Sequence, residues 1–340
     1  MHPVLRKYQG LMVDLDGTVF EGSRPVDGAK EGLADHEVVY ITNNASRAPQ
    51  QVAAHLTELG FSTQPNQVMT SAMAACLMAR EVFEDNEESG NRVKGVPRKV
   101  FVIGAESFKQ LAREADLDVV DSADDNPEVV LHGHSPDNDW ARLSEGALAI
   151  QRGARYIASN LDSTLPTERG FMVGNGSMVA AVTNATGVVP DAPGKPKPTM
   201  FEACRPQLDG LDILVIGDRL NTDIAGGNNA GLPTLCTVTG VSTHRDILAA
   251  KPGERPTYIA ANMRDHLSGW SARIAEHPEG EGQVVLISAG EQGTARVMAA
   301  EALAVAAPLV WKVVDAGHSV EGIAVRGEDD HARTAISAWR

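Results

Sequence analysis

Short apolar runs alternate with longer amphipathic stretches along most of the chain, and this alternation predicts the fold class. The runs GLMV at 10–13 and EVVYIT at 37–42 look like buried strands, and Ser46 and Pro49 supply start signals for a helix that ends near Leu59. Later strands are predicted at 211–217, 233–238 and 257–260. Because strands that alternate with helices build parallel sheets, we predict an α/β fold with a doubly wound, Rossmann-like parallel-sheet core.

A second alternating unit interrupts this pattern. It follows a predicted helix at 71–83 and a polar stretch, EDNEESGN at 84–91, that is typical of a solvated loop. Its predicted strands and helices lie at 99–103, 106–115, 128–132, 139–152 and 155–158. We therefore predict an α/β domain inserted over 81–189, and a discontinuous core domain formed by 1–80 and 190–278.

The end of the chain has a third pattern, separated from the rest by the polar stretch EHPEGEGQ at 276–283. Over 284–339 we predict the order strand, helix, strand, strand, helix, with one of the strands at 309–314. The helix carries apolar residues at i, i+3 and i+4 spacing, namely Ala295, Met298, Ala299, Ala302, Leu303 and Ala306. The pattern predicts a small α+β C-terminal module over 283–340, whose apolar stripe must be buried.

Composition and charge exclude several classes of protein. The chain has 340 residues, 43% of them apolar and 22% charged, so it is neither disordered nor fibrous. Its 30 basic and 45 acidic residues give a net charge of −15, which argues against sequence-independent binding of nucleic acid. No apolar run approaches the roughly 20 residues of a membrane helix, so we expect no membrane partner.

The cellular compartment is predicted from the N-terminus and the cysteines. The first residues lead directly into a strand-like segment without a secretory apolar region. Cys76, Cys204 and Cys236 are widely spaced and form no CxxC pair, which favours buried thiols in a reducing compartment. We therefore predict a cytoplasmic protein.

The strongest chemical signal is DLDGT at 14–18, directly after a predicted buried strand. In open parallel sheets functional groups gather at the carboxyl ends of strands, where Asp14 and Asp16 would be presented and Gly17 would permit a sharp turn. For an isolated D-x-D-G, a turn with solvated aspartates is an equally good interpretation.

Other polar residues follow predicted strand ends or lie in loops that could face the same edge. Thr42, Lys195 and Asp218 would add a hydroxyl, an ammonium and a third acid to the two aspartates. Together these groups supply a carboxylate nucleophile, a proton shuttle, ligands for phosphate oxygens and a Mg²⁺ site, which are the requirements of phosphoryl transfer.

Four ordered motifs carry a family resemblance. They are DLDGTVF at 14–20, ITNN at 41–44, GKPKP at 194–198 and IGDRLNTDI at 216–224. With them the chain, over about 8–270, resembles the haloacid dehalogenase superfamily of phosphatases, specifically the NagD and phosphoglycolate phosphatase-like subfamily. In that family the inserted domain is a cap that closes over the substrate.

The resemblance implies a role for each matching residue. Asp14 would be the nucleophile that forms an aspartyl-phosphate, and Asp16 would first protonate the leaving group and then activate water. Mg²⁺ would be held by Asp14, Asp16 (through its backbone carbonyl) and Asp218. Phosphoryl oxygens would be bound by Thr42, by the backbone amides of Asn43 and Asn44, and by Lys195. Asp223 would orient a metal-bound water or Lys195, in a loop shaped by Arg219 and Asn221.

The resemblance also implies a substrate class. A closed cap admits a small phosphorylated metabolite, and the cap loop with Asn160, Asp162 and Thr164 resembles the substrate-side loop of the family. This polar loop favours glycerol 3-phosphate, since aromatic residues make up only 4% of the chain and offer little stacking surface for a ring. Phosphoglycolate, a nucleoside monophosphate and pyridoxal phosphate remain as alternatives, and a homo-oligomer is compatible with the resemblance.

Two other functional classes remain open at the level of sequence. A phosphoacceptor signalling module uses similar acidic, Thr and Lys residues, but the inserted cap and Asp16 argue against a long-lived acyl phosphate. A silent binding protein would not need the full set of acids and Lys195. The tail, in its element order, resembles part of an acyl-CoA-dependent acetyltransferase, but GEDD at 327–330 would repel pyrophosphate, so we predict a degenerate module.

Overall fold

The computed structural model describes residues 1–167, 169–276 and 283–339. The chain forms two compact units. Unit 1 comprises Met1–Val39 and Leu208–Arg340, and unit 2 comprises Tyr40–Gln207. The predicted linker at 276–283 lies largely outside the described residues.

The strands are β1 (Gly10–Val13), β2 (Phe20–Glu21), β3 (Arg24–Pro25), β4 (Glu37–Thr42), β5 (Val68–Thr70), β6 (Lys99–Ile103), β7 (Asp118–Val120), β8 (Val129–His132), β9 (Arg155–Ala158), β10 (Thr164–Thr167), β11 (Gly170–Val173), β12 (Ile213–Gly217), β13 (Thr234–Thr237), β14 (Tyr258–Ala260), β15 (Ser271–Glu276), β16 (Gln283–Ser288) and β17 (Ala324–Gly327). The α-helices are α1 (Ala29–Leu33), α2 (Pro49–Glu58), α3 (Ser71–Glu88), α4 (Glu106–Glu114), α5 (Trp140–Gln151), α6 (Asn175–Thr186), α7 (Thr199–Cys204), α8 (Ala225–Asn229), α9 (His244–Leu248), α10 (Ala295–Asp315) and α11 (Asp330–Ser337).

A six-stranded sheet has the order β14-β13-β12-β1-β4-β5. Strand β1 pairs with β12, β12 with β13, β13 with β14, and β4 with β5, each in parallel register. Strands β1 and β12 are buried along their whole length, as strands of a sheet covered on both faces must be. The predicted α/β class is confirmed, and β1 and β4 have the predicted bounds.

In unit 2, the inserted segment forms a parallel sheet with the order β7-β6-β8-β9. Its strands alternate between two cores, because successive side chains of a strand point to opposite faces. Val100 and Val102 belong to one core with α3 and α4, whereas Phe101 and Ile103 belong to another with α5 and α6. This two-sided packing explains why β6 is apolar throughout.

Helix α3 is longer than predicted, because it continues through Glu88 into the stretch interpreted as a loop. Phe83, near the start of that stretch, is fully buried. Beyond it, the half-buried Glu87 forms ion pairs with Arg92 and Arg98. The prediction of a solvated loop at 84–91 was therefore wrong over its helical part.

The C-terminal module differs from the prediction in two respects. The segment 309–314 is not a strand, because α10 continues as a helix to Asp315. The segment has apolar residues on both faces because neighbouring elements enclose the helix on more than one side. The module's sheet also recruits β15, which we assigned to the core domain, in the order β15-β16-β17. Strands β15 and β16 pair in antiparallel register.

Helix α10 packs into a core that it shares with the rest of unit 1. This core contains Leu303 and Ala306 of the helix together with Cys236, Ile247 and Ile259 of the segments around β13, α9 and β14. Among the described helices, α10 alone is long and apolar enough to cross a membrane by length and composition, and 61% of its most apolar stretch is buried inside the protein. Its apolar character is thus accounted for by packing within unit 1.

Because the core is shared, the module and the rest of unit 1 should unfold together. We expect Leu303→Ala to lower the free energy of unfolding by about 2–5 kcal/mol, through lost burial and the cavity left behind. The matched control is Leu309→Ala, on the half-buried side of the same helix, which should cost less. Thermal and denaturant unfolding measure both effects, and a separate early transition confined to the module would contradict the shared core.

Candidate active site

The first acidic motif lies where the central strand β1 ends. The backbone N–H of Asp14 donates to the carbonyl of Ile216 at 2.9 Å, which continues the pairing of β1 with β12. Asp14 is half-buried and Asp16 is exposed. Between Asp16 and the following strand the chain turns at Gly17, whose φ of +85° favours glycine. Asp14 thus lies at the carboxyl end of the sheet, directly after β1 and before this turn.

Asp218 occupies the equivalent position after the neighbouring strand β12, and its side chain is buried. The Thr18 hydroxyl donates to its Oδ1 at 3.2 Å, and the Val241 backbone N–H donates to its Oδ2 at 2.5 Å. Hydrogen bonds of this kind favour the ionised form of a buried carboxylate.

Asp223 brings a third carboxylate to the same place. It lies in a π-helical turn, Leu220–Ile224, and the Arg219 N–H donates to its Oδ2 at 3.1 Å. A side chain on Gly217 would collide with Asp223, since a Cβ there would lie 2.2 Å from the Asp223 Cβ. Asn221 is exposed in this turn, and Arg219 is half-buried.

Asp14, Asp218 and Asp223 form a group that suits a hard cation. Each offers a carboxylate oxygen, and these oxygens lie within 4.8 Å of one another. Burial raises the pKa of the nearby Cys236 thiol, and the charges of Asp218 and Asp223 raise it further. The donor set and the negative potential both fit Mg²⁺, which prefers carboxylate and water oxygens.

A further segment, which was not predicted from the sequence, packs against this group of carboxylates. Residues 239–242 follow β13, and the Ser242 N–H donates to the Asp218 carbonyl at 3.1 Å. The Thr239 hydroxyl donates to the Gly17 carbonyl at 2.5 Å. A Cβ on Gly240 would lie 2.0 Å from Asp218 Oδ2, so only glycine fits. The available signal was a glycine two residues after the end of the predicted strand at 233–238.

In unit 2, the Thr42–Asn44 motif begins at the last residue of β4, in the predicted position. Thr42 is buried, and its Oγ1 accepts a hydrogen bond from the Asn44 N–H at 3.1 Å. The Asn43 side chain binds the backbone of Lys195 twice, by accepting from its N–H at 2.8 Å and donating to its carbonyl at 3.1 Å. Asn43 therefore joins two of the predicted phosphate-binding segments.

Lys195 is almost completely buried, with a side-chain ammonium that donates to the Ile41 carbonyl at 3.0 Å. This contact anchors the ammonium at the end of β4, close in sequence to Thr42. An ammonium in a region of low dielectric attracts an anion more strongly than one in water. The predicted residues Thr42, Asn43 and Lys195 are thus brought together within unit 2.

The predicted cap residues have different environments. Asn160 is buried, and its amide donates to the Asn43 carbonyl at 2.7 Å. Asp162 is half-buried and accepts from the Asn43 amide at 3.1 Å. Thr164 is exposed at the start of the hairpin β10–β11. Asn160 and Asp162 therefore belong to the network around Asn43, and Thr164 lies at its edge.

Comparisons with known proteins agree with the motifs. Residues 11–118 match a family model described as haloacid dehalogenase-like hydrolase, and residues 192–266 match one described as HAD-hydrolase-like. The chain is 36% identical over 349 residues to the D-glycerol 3-phosphate phosphatase of Mycobacterium tuberculosis, across 100% of this chain and 96% of the relative. It is 34% identical over 273 residues to a 5′-nucleotidase of Bacillus subtilis, across 78% of this chain and 98% of that protein.

A solved structure gives the same result for the fold. The crystal structure of a glycerol phosphate phosphatase from Mycobacterium tuberculosis, in complex with magnesium, matches with a TM-score of 0.82 and 35% identity. The match covers 100% of this chain and 99% of that one, and so includes the C-terminal module. The predicted family resemblance is confirmed, and the chain belongs to the haloacid dehalogenase-like hydrolase family.

Proposed function

We propose that this protein is a Mg²⁺-dependent phosphomonoesterase that converts glycerol 3-phosphate to glycerol and inorganic phosphate. The observation that carries the proposal is the group of three carboxylates at the carboxyl ends of β1 and β12, Asp14, Asp218 and Asp223. The choice of substrate is supported by the D-glycerol 3-phosphate phosphatase that resembles this chain over its whole length. The 5′-nucleotidase resembles only 78% of the chain.

Mg²⁺ would be held by Asp14, by the backbone carbonyl of Asp16 and by Asp218, and when bound it supplies positive charge that offsets the charge of the phosphoryl group. In this assignment Asp223 is the neighbour that keeps the site anionic. Arg219 and Asn221 shape the turn that carries Asp223.

In the proposed reaction, an Asp14 carboxylate oxygen attacks phosphorus and the bond from phosphorus to the substrate alkoxide breaks. Asp16, in its protonated form, gives its proton to the leaving alkoxide. The resulting Asp16 carboxylate then accepts a proton from the water that attacks the aspartyl-phosphate, which releases phosphate and regenerates Asp14. One exposed carboxyl group can serve both steps, because they need opposite protonation states.

The residues of unit 2 would bind the phosphoryl oxygens. The Thr42 hydroxyl and the backbone amides of Asn43 and Asn44 supply neutral donors, and Lys195 supplies the cation. The buried position of Lys195 supports this role, since an anion compensates the cost of desolvating an ammonium.

Specificity would come from the cap loop of Asn160, Asp162 and Thr164. Its amide, carboxylate and hydroxyl groups suit the hydroxyls of a small polyol. Phosphoglycolate and pyridoxal phosphate remain alternative substrates, and the similarity to a 5′-nucleotidase favours a nucleoside monophosphate among the alternatives. A phosphoacceptor signalling module is the non-enzyme alternative, and it requires an acyl phosphate that persists.

The first prediction tests the nucleophile. Asp14→Asn should reduce turnover on the order of 10⁴-fold or more, because the amide has a similar shape but cannot attack phosphorus. The matched control is Asp212→Asn, an exposed residue that precedes β12, which should retain normal turnover. Phosphate release measures both, and normal turnover in Asp14→Asn, with deamidation excluded by mass spectrometry, would contradict the mechanism.

The second prediction concerns the metal. A chelator should abolish phosphate release, and added Mg²⁺ should restore it, because three neighbouring carboxylates repel an anionic substrate without a cation. Calorimetric titration of the metal-free protein with Mg²⁺ provides an independent measurement of binding. Full turnover in excess chelator would refute the assignment.

The third prediction concerns the substrate. Of the four phosphate esters named above, glycerol 3-phosphate should have the highest kcat/KM, because the cap loop offers hydrogen-bonding groups and little surface for a ring. Free phosphate release over a concentration series gives each kcat/KM. A nucleoside monophosphate preferred by about tenfold would reverse the choice of substrate, although the phosphatase mechanism would stand.

A further inference from the structure

We infer that the C-terminal module positions the Asp218 carboxylate by holding helix α9 and, through it, the loop at 239–242. Asp218 is a metal ligand in the proposed function, on which this part of the inference rests. The loop contacts Asp218 through the Val241 and Ser242 N–H groups, as described above.

The loop and α9 are continuous in sequence, so the position of one constrains the other. Ser242 is followed by Thr243, the N-cap of α9, whose hydroxyl accepts a hydrogen bond from the Asp246 N–H at 3.2 Å. Ser242 also accepts a hydrogen bond at its Oγ from the Leu220 N–H at 3.0 Å. Helix α9 has five residues, and a helix this short depends on tertiary contacts for its stability.

The module supplies those contacts at both ends of α9. At the C-terminal end, the indole N–H of Trp311 in α10 donates to the carbonyls of Ile247 and Leu248 at 3.2 and 3.1 Å. At the N-terminal end, the Trp339 ring stacks on the His244 ring, with 6.5 Å between centroids and 12° between planes.

Further bonds fix these two tryptophans and the chain after α9. The Trp339 indole N–H donates to the Ala299 carbonyl of α10 at 2.9 Å. Arg255 lies over the Trp311 ring and forms a two-fold ion pair with Asp315 at the end of α10, with N–O distances of 2.7 and 2.9 Å. The module therefore holds α9 through directed hydrogen bonds as well as through apolar burial.

The role proposed for Trp311 and Trp339 is one of positioning, since neither contacts the carboxylates in the described structure. Weakening the contacts of Trp311 and Trp339 with α9 should therefore increase the mobility of the loop at 239–242. General loss of stability elsewhere in the module should leave the loop unchanged. These two effects can be separated by measuring hydrogen exchange at the amides of the loop itself.

The test uses amide hydrogen exchange of the 340-residue chain, without metal, in two tryptophan variants and one control variant. Trp311→Phe keeps an aromatic ring but removes the indole donor, and Trp339→Phe is a second variant in case the first does not fold. The control is Ile287→Val in β16, which trims the shared core without changing a hydrogen bond to α9.

We expect the exchange protection of the Val241 and Ser242 amides to fall about three- to tenfold in the tryptophan variants, the range set by the loss of one or two hydrogen bonds. In Ile287→Val the same amides should remain protected even though the melting temperature falls. In calorimetric titrations, the Kd for Mg²⁺ should rise by a similar factor in the tryptophan variants only.

Unchanged protection in the folded tryptophan variants would overturn the inference. An equal loss of protection in Ile287→Val would also overturn it, because the effect would then be general destabilisation. If the unaltered protein binds no Mg²⁺, the metal assignment in the proposed function fails, while the exchange comparison still decides whether the module holds the loop.

Discussion

Burial of the Asp218 carboxylate at the end of β12 is the constraint on which the rest of unit 1 depends. A buried charge is costly unless hydrogen bonds or an ion compensate it. Here Thr18 and the Val241 N–H provide two of those bonds, and they come from the turn after β1 and from the loop after β13. Three adjacent strand ends are therefore fixed around one carboxylate.

The same constraint explains two glycines in that region. A Cβ on Gly17 would lie 2.8 Å from Asp218 Oδ2, and a Cβ on Gly240 would lie 2.0 Å from it. Both glycines let the backbone approach the carboxylate closely enough to surround it. The close approach leaves little tolerance for movement of the 239–242 loop, which gives the packing of α9 and the C-terminal module a direct bearing on the site.

The sequence predicted those parts of the fold where local pattern and tertiary context agree. Strands β1 and β4 have their predicted bounds, because a short apolar run that ends at a polar motif is the pattern of a buried parallel strand. The segment 309–314 was misassigned because apolar residues on every side occur in enclosed helices as well as in strands, and only packing distinguishes them. The end of α3 was missed because its residues are polar and charged, which is a pattern typical of a loop. In the structure this end is stabilised by ion pairs of Glu87 with Arg92 and Arg98, two residues that lie beyond the helix.

The candidate site, like the fold, was predicted only in part from the sequence. Asp14, Asp218 and Lys195 were recognised because their residue types fit a chemical reaction and a family motif. The contacts that hold Asp218 and Lys195 were not predicted, whether they come from a motif residue such as Thr18 or from Val241, which lies outside every motif. In unit 2, Asn43 was expected to act through its backbone amide, and its side chain proves to bind both Lys195 and Asp162. One asparagine thus joins the segment proposed to bind phosphate to the loop proposed to select the substrate. Because these two segments share a hydrogen-bonding partner, a change in the cap loop can alter the position of the lysine as well as the fit of the alcohol, so specificity and turnover are physically coupled in this unit.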